Sequence, residues 1–475
     1  MDTLLTKLSD LLGPGGLITG ADAAQAAQSL WTRLGEPVAI ARPRSTEEVS
    51  AVLKAAHAAG DPVVPWGGRT GLVDGCFATG AIAVHMDRMN RIEEIDRQGS
   101  TMTVQAGCVL QTACEAAEAE GLFLPLDLGA RGSATIGGVV STNAGGNRVL
   151  RFGMTRDMVL GLEAVLADGT VVSALNPLIK NNTGFDLKQL FVGSEGCLGV
   201  VTRVVLRLRP QPTSQDAAFL AVDAFDNLPK LLRLFERELP GTLSAFEVMW
   251  PEFYELVTTE PAKGRPILPH GSPFYVLTET LGADQEEDSR RMERALEKAM
   301  EAGLVTDAVI AKSKAERDRM WALRDDVAQV ARNGPVFTFD VSLKISQMQG
   351  YLAALNADLL GRWPAATLVV FGHLGDGNLH VIVGVGDRSA RNAVEDLVYG
   401  HLQKIGGSVS AEHGIGLQKR EYLACSRSPD EIALMGRLKA LLDPNNILNP
   451  GKVLEPAGAA GARPELAAAG TGLLG

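Results

Sequence analysis

Between Leu124 and Asn147 the chain reads LPLDLGARGSATIGGVVSTNAGGN, with six glycines and several small hydroxyl or amide residues set between apolar segments. No regular helix or strand suits such a stretch throughout, because each interior glycine costs about 0.5–1 kcal/mol relative to alanine. Glycine instead lets the backbone come close to a ligand and present N–H donors to it. Ser133, Thr135, Thr142 and Asn143 add side chains able to reach ring oxygens or a pyrophosphate. The segment reads as a cofactor cradle; the competing reading is a glycine-rich turn cluster, since glycine spacing alone is weakly specific. A second glycine loop, DPVVPWGGRTGLVDGC from Asp61 to Cys76, is entered by a short apolar strand, Pro62 to Val64. Two such loops around one region imply a large dinucleotide. The Rossmann pattern is absent, since it needs strand, G-x-G-x-x-G and helix in one unit with an acidic residue about 20 positions on.

Together the loops resemble the flavin domain of the vanillyl-alcohol oxidase and p-cresol methylhydroxylase superfamily. In that family the first loop wraps the pyrophosphate and the second holds the isoalloxazine and ribityl parts of FAD. The resemblance assigns the cofactor to Pro65, Gly67, Gly68, Arg69, Thr70, Gly71 and Leu72 of the first loop. In the second it assigns Pro125, Leu126, Asp127, Gly132, Ser133, Thr135, Ile136, Gly137, Gly138, Thr142, Asn143, Gly145 and Gly146. Gly153, Glu195, Gly196, Val200 and Asn449 complete the set, Asn449 reaching the flavin from the carboxyl end within LLDPNNILNPGK. Covalent members place a histidine where Arg69 stands, so the resemblance implies non-covalent FAD.

A length of 475 residues allows roughly three domains at about 150 residues each. Charged residues make up 21% and the formal net charge is −11, without a basic run to track phosphates, so nucleic acid is excluded as a partner. Five cysteines without CxxC spacing support neither an iron–sulfur cluster nor a zinc ribbon and fit a reduced, cytoplasmic setting. The first residues, MDTLLTKLSDLLGPGG, space leucines as an amphipathic helix and do not read as a signal peptide; no apolar run reaches the roughly 18 residues of a membrane span. The last twenty residues are low-complexity and expected to be a mobile tail.

Strand and helix signals alternate along the rest. A helix capped at Ser45 or Thr46 runs to Ala59, and another covers Leu110 to Glu120. Asp168-Gly169 predicts a type I′ hairpin. PQPTSQD, Pro210 to Asp216, has linker composition. Beyond it, strands at Ala217–Val222, Leu243–Met249, Phe274–Thr280, Ala308–Lys312, Phe337–Ser342, Leu368–Phe371 and Val381–Val385 alternate with helices at Gln285–Glu301, Ala315–Arg332 and Arg391–Ile405. The fold class is α+β: a FAD-binding domain of the p-cresol methylhydroxylase type, in two α+β subdomains, over 1–211, and a substrate and metal domain over 212–415. The latter is expected to be an antiparallel sheet with helices on one face. A C-terminal segment, 416–455, returns to the flavin, and the tail is 456–475.

FGHLGDGNLH puts His373 after an apolar strand and His380 at the start of the next, with GDGN able to turn the chain so that the imidazoles converge. Glu412 in AEHG adds a carboxylate. Two histidines and a carboxylate suit a divalent metal, zinc first and Fe²⁺ or Mn²⁺ otherwise. Hydrogen-bonded sheet-end histidines are the plainer alternative. The pair FGHLGDGNLH and AEHGIG resembles FAD-linked D-2-hydroxy-acid dehydrogenases, as do NNTGFDLKQLF at Asn181–Phe191 and SPFYVLTET at Ser272–Thr280. That family uses the two histidines and the glutamate as metal ligands and the next histidine, here His413, as the base. Arg324, in the apolar stripe of Met320, Leu323, Val327 and Val330, must find an anion. A substrate carboxylate and a neighbouring Asp or Glu are equal candidates from spacing, and the family uses this arginine for the carboxylate. Thr338 and Asn378 join it as candidate substrate-binding residues. Relatives that take 2-hydroxyglutarate carry lysine, threonine and asparagine where this chain has Thr338, Ala328 and Ile382.

The expected activity is therefore oxidation of a D-2-hydroxy acid (D-2-hydroxyglutarate, D-lactate or a related acid) to the 2-oxo acid. An external acceptor, an electron-transfer flavoprotein or a quinone, would take the electrons, and the family implies a homodimer. A metal-dependent hydrolase leaves the flavin loops unexplained; a non-catalytic electron-transfer flavoprotein subunit makes the metal motif structural.

Overall fold

A computed structural model describes residues 2–29 and 32–455; the expected mobile tail, 456–475, lies outside the described residues. Two compact units divide the chain. Of the described residues, the first takes 2–29, 32–146, 153–211 and 412–455; the second takes 147–152 and 212–411. The crossing at 211 falls where the proline-rich composition changes. The chain re-enters the first unit at Glu412 rather than after residue 415, and the short piece 147–152 belongs to the second unit, which its sequence does not signal.

In the first unit, β1 (Leu17–Thr19), β2 (Ala39–Ala41), β3 (Val63–Trp66) and β4 (Ile82–His85) form a four-stranded sheet in the order β1-β2-β4-β3, its β2-β4 and β3-β4 pairs parallel. The parallel pairs require a crossover, and the helix Thr46–Ala59 precedes β3. Ser45 caps that helix by accepting from the Glu48 amide, and Gly60 ends it at φ +70°. Leu34, Ile40, Val64, Trp66 and Ala83 are buried together. The Trp66 indole must find an acceptor in that core, and its Nε1 donates to the Cys76 carbonyl at 2.8 Å, tying the first glycine loop back onto its own strand.

From Ile92 to Pro210 come β5 (Ile92–Asp96), β6 (Thr101–Gln105), β7 (Leu122–Phe123), β8 (Val159–Val165), β9 (Val171–Ala174), β10 (Val200–Arg207) and β11 (Arg209–Pro210). Five of them make an antiparallel sheet, β5-β6-β10-β8-β9, while β7 pairs with β11. The β8-β9 turn is not type I′. Only Gly169 has positive φ, +86°, and the Leu166 amide donates to the Thr170 carbonyl across three loop residues. This is the longer hairpin of a type I turn closed by one left-handed glycine, which spares Asp168 the left-handed region.

The second unit holds β12 (Ser214–Val222), β13 (Leu243–Met249), β14 (Phe274–Gly282), β15 (Asp307–Ile310), β16 (Val336–Ser342), β17 (Thr367–His373) and β18 (Asn378–Gly384). They form one antiparallel sheet ordered β15-β12-β14-β13-β17-β18-β16. Strand structure already begins at Ser214 and resumes from β11 at Pro210, so the stretch read as a linker is shorter than its composition implies: hydrogen bonding to β14 captures Ser214 to Asp216. Helices cover both faces rather than one. On one face the helices Pro251–Thr258 and Lys314–Asp325 contribute Phe253, Tyr254, Met320 and Leu323 to a core with Phe219, Tyr275, Phe371 and Ile382. On the other, Phe246 meets Phe235 of the helix Asn227–Glu238 and Phe339 meets Tyr399 of the helix Arg391–Ile405. A wholly buried strand such as β13 requires this double cover. The helix expected over Ala315–Arg332 ends at Asp325, and a 3-10 turn, Val327–Asn333, continues the chain. Its Val330 stays in the same core, which is why the stripe reads as unbroken.

The two glycine loops pack backbone on backbone: a Cβ at Gly68 would overlap the Ser133 carbonyl, whereas one at Gly71 would meet open space. Gly68→Ala should cost about 1–3 kcal/mol, the usual cost of overpacking, and Gly71→Ala should not. Urea midpoints of the two variants test this, and equal midpoints would contradict the close approach.

Candidate active site

In the first unit, both glycine loops and the carboxyl-terminal turn converge. Gly67 and Gly68 abut Thr135 and Ser133, and Gly196 abuts Pro65. Asn449, at φ +41°, donates its amide to the Val63 carbonyl at 2.7 Å. Its side-chain Nδ2 donates to the carbonyls of Gly75 at 3.1 Å and Glu195 at 2.7 Å. One asparagine thus gathers three of the segments expected at the cofactor. Two buried oxygens there, Thr135 Oγ1 and Asn449 Oδ1, have no hydrogen-bond partner, and a buried orphan acceptor or hydroxyl calls for a ligand.

Other candidates spend their side chains locally. Arg69, at φ +57°, donates to the Ala26 carbonyl at 2.8 Å, covers the Trp66 ring, and takes the Ser29 hydroxyl on its own carbonyl at 2.9 Å. Thr142 bonds back to the Gly138 carbonyl, Asn143 accepts from the Arg156 amide at 2.9 Å, and Val200 pairs with Val165 in the sheet. Glu195 sits at φ +52° and its carboxylate accepts from the amides of Ile415 at 2.7 Å and Gly416 at 2.8 Å. Burial pushes its carboxyl up while those two N–H donors pull against it. The clamp fixes the loop just after Glu412 and His413, where Gly414 at φ +81° bends the chain.

In the second unit, His373 ends β17 and His380 is the third residue of β18, joined through Gly377 at φ +84°. Their Nε2 atoms stand 3.5 Å apart. Two ligands at 2.0–2.1 Å from a tetrahedral ion are separated by roughly 3.3 Å, so the imidazoles are spaced as a metal pair. Segment 408–411 follows the edge of β16, with Ser342 and Ser408 exchanging main-chain bonds and the Ala411 amide donating to the Asp340 carbonyl at 3.3 Å. Asp340 lies opposite His380 in the register. His373, His380 and Glu412 make a group that could hold a metal ion.

Arg324 meets its anion inside the protein: Nε donates to Glu247 Oε2 at 2.8 Å, and Nη2 lies 3.0 Å from His373 Nε2. Glu247 Oε1 is 2.7 Å from His373 Nδ1. Burial opposes ionisation of Glu247, but His373 and Arg324 outweigh it and hold the carboxyl down at about 2. Asp376, in the turn between the histidines, is pushed up to about 6 by burial against the pull of His373. Asn378 is buried with both amide atoms lacking a partner. Thr338, exposed on β16, lies opposite Ile382, which belongs to the apolar core. Sequence reasoning missed Glu247; its one signal is the lone charge in the strand LSAFEVM, which the structure buries throughout.

Residues 211–453 match the family described as FAD linked oxidases, C-terminal domain, and residues 37–174 match the FAD binding domain. The chain belongs to the FAD-linked oxidases. It is similar to bovine mitochondrial D-2-hydroxyglutarate dehydrogenase, 41% identical over 93% of this chain and 81% of that protein. D-2-hydroxyglutarate dehydrogenase of Xanthomonas citri pv. viticola is 41% identical over 90% of this chain and 91% of its own. Among solved structures, alkyldihydroxyacetonephosphate synthase superposes with a TM-score of 0.75 at 17% identity, over 95% of this chain and 84% of that one. Substrate-bound p-cresol methylhydroxylase does so at 0.74 and 16%, over 96% and 97%. These two show the fold. The α+β architecture and the FAD expected from the glycine loops are those of this FAD-linked oxidase, an FAD-dependent oxidoreductase. No helix among its described residues is long and apolar enough to cross a membrane.

The orphan atoms Thr135 Oγ1 and Asn449 Oδ1 fit a flavin held by the first unit, and the paired Nε2 atoms with Glu412 fit a divalent cation. Glu195→Gln in this FAD-linked oxidase removes one acceptor of a charge-assisted pair, worth about 1.5–3 kcal/mol. Hydrogen exchange at Ile415 and Gly416 should then accelerate roughly tenfold or more, with unchanged exchange showing that the clamp does not hold the loop.

Proposed function

We propose that this FAD-linked oxidase oxidises a D-2-hydroxy acid to the 2-oxo acid. The observation that carries the reading is the pair of imidazoles, His373 Nε2 and His380 Nε2 3.5 Å apart, in a chain of this family, with Glu412 in the group able to hold a metal ion. The similarity to D-2-hydroxyglutarate dehydrogenases supports it. When bound, non-covalent FAD supplies the hydride acceptor. A divalent cation, zinc first, supplies Lewis acidity that lowers the pKa of an alcohol as it does that of water.

The protein's own residues do the rest. His373, His380 and Glu412 would hold the cation, which would supply positive charge for the hydroxyl and C1 carboxylate end of the substrate. His413 accepts the hydroxyl proton as general base, a contribution of about 10²–10⁴-fold. Arg324 and Asn378 supply donors for the carboxylate, Asn378 through an amide that otherwise lacks a partner. Thr338 lines the far end. The electrons leave to an electron-transfer flavoprotein or a quinone, the working form is a homodimer, and five cysteines outside any disulfide favour a cytoplasmic setting.

The substrate's side chain faces an apolar wall. Along the same face as His380 lie Phe371, whose ring is 4.8 Å from the imidazole, and Ile382, packed with Val369 and Leu323. Arg324 is already engaged with Glu247. A second carboxylate arriving there would lose hydration without gaining a cation, a deficit of a few kcal/mol or roughly a hundredfold in affinity. D-lactate and D-2-hydroxy acids with apolar side chains should therefore be used at least as well as D-2-hydroxyglutarate, and L-enantiomers poorly. Comparing kcat/KM for D-lactate, D-2-hydroxybutyrate, D-mandelate, D-malate and D-2-hydroxyglutarate decides this. A clear preference for either dicarboxylate would overturn the apolar-wall reading. His413→Ala should slow flavin reduction by about 10²–10⁴-fold; a wild-type rate would remove the base assignment.

A further inference from the structure

One buried carboxylate holds both the first imidazole of the metal pair and the arginine beside it. Glu247 is 1% exposed, on a strand sealed on both faces. Its two oxygens are divided, Oε1 to His373 Nδ1 at 2.7 Å and Oε2 to Arg324 Nε at 2.8 Å. An ionised carboxylate only accepts, so the 2.7 Å contact requires the imidazole to carry its hydrogen on Nδ1. The lone pair of neutral His373 is then on Nε2, directed toward His380 Nε2 at 3.5 Å and toward Arg324 Nη2 at 3.0 Å.

We infer that Glu247 is the positioning residue of this site, fixing the tautomer in which His373 offers Nε2 to a cation and fixing the attitude of Arg324 beside it. A hydrogen-bonded partner on the far nitrogen is worth roughly 10–100-fold in metal affinity. A second consequence has the opposite sign. Arg324 Nη2 lies on the same lone pair that a cation takes, so guanidinium and cation exclude one another at His373 Nε2. Glu247 keeps hold of Nε in either state, and cation binding displaces Arg324 Nη2 from His373 Nε2. Glu247 thus strengthens cation binding while Arg324 opposes it, although both belong to one buried ion cluster. A purely structural role would make both substitutions act alike.

The inference rests on the cation reading, and Zn²⁺ binding to the flavin-loaded protein tests the two separately. The holoprotein is stripped of metal and titrated with Zn²⁺ by equilibrium dialysis, with flavin absorbance recording that FAD remains. Glu247→Gln should weaken Zn²⁺ binding roughly 10–100-fold, and Arg324→Met should tighten it. Zn²⁺ affinity in Glu247→Gln within twofold of wild type, or weakened equally in both variants, would overturn the assignment. If wild type takes up no Zn²⁺, the cation reading fails, and the imidazole itself decides the rest. Nitrogen NMR of metal-free wild type, with the His373 signal assigned against His373→Gln, should show the hydrogen on Nδ1. A hydrogen on Nε2 would overturn the role of Glu247 whatever the metal does, the tautomer being read on the wild-type protein and the variant serving only to assign the signal.

Discussion

Removing a carboxylate from water costs several kcal/mol unless cationic and hydrogen-bonding partners replace the lost hydration. The second unit meets that cost at Glu247 by bringing an imidazole and a guanidinium to its two oxygens. Much of the unit's layout follows. The antiparallel register sets Glu247 opposite His373, the register of the next pair sets Phe371 opposite His380, and the helix Lys314–Asp325 delivers Arg324 across the same face. A similar bargain recurs one strand away, where fully buried Glu279 is held by Arg148 at 3.0 Å. Breaking either pair would leave an uncompensated buried charge, commonly a loss of 3–5 kcal/mol.

The first unit depends on a different constraint, the thickness of a backbone without side chains. Gly67 and Gly68 are glycine because Thr135 and Ser133 occupy the space a Cβ would take. Loops brought this close can present main-chain donors to a ligand from two sides. Asn449 and Glu195 then lock distant segments onto them, at the price of left-handed backbone at both residues. Such strain persists only where the surroundings over-determine it, and it clusters where ligands bind.

Features resting on local chemistry were legible in the sequence. The helices Gln285–Glu301 and Arg391–Ile405 occur at the bounds their patterns indicate, the first capped by Asp284 accepting from the Glu287 amide and the second ended by Gly406 at φ +67°. The histidine pair was legible because its turn lies within one motif. Glu247 was not: 126 residues separate it from His373, and only the strand register brings them together. The helix expected to reach Arg332 stops at Asp325 because the following 3-10 turn keeps Val330 in the core, so the apolar period continues after the helix has ended. Ser214 to Asp216 look like linker yet pair with β14, since ladder partners outweigh weak local propensity.

If His373, His380 and Glu412 hold a cation, a D-2-hydroxy acid should reduce the flavin only while that cation is bound. The most direct measurement is anaerobic bleaching of the flavin absorbance on mixing with D-2-hydroxy acids, in protein as purified, stripped of metal, and reloaded with Zn²⁺. Bleaching is expected in the first, lost in the second while the flavin stays bound, and restored in the third. Full-rate bleaching in a sample shown by elemental analysis to be metal-free would contradict it.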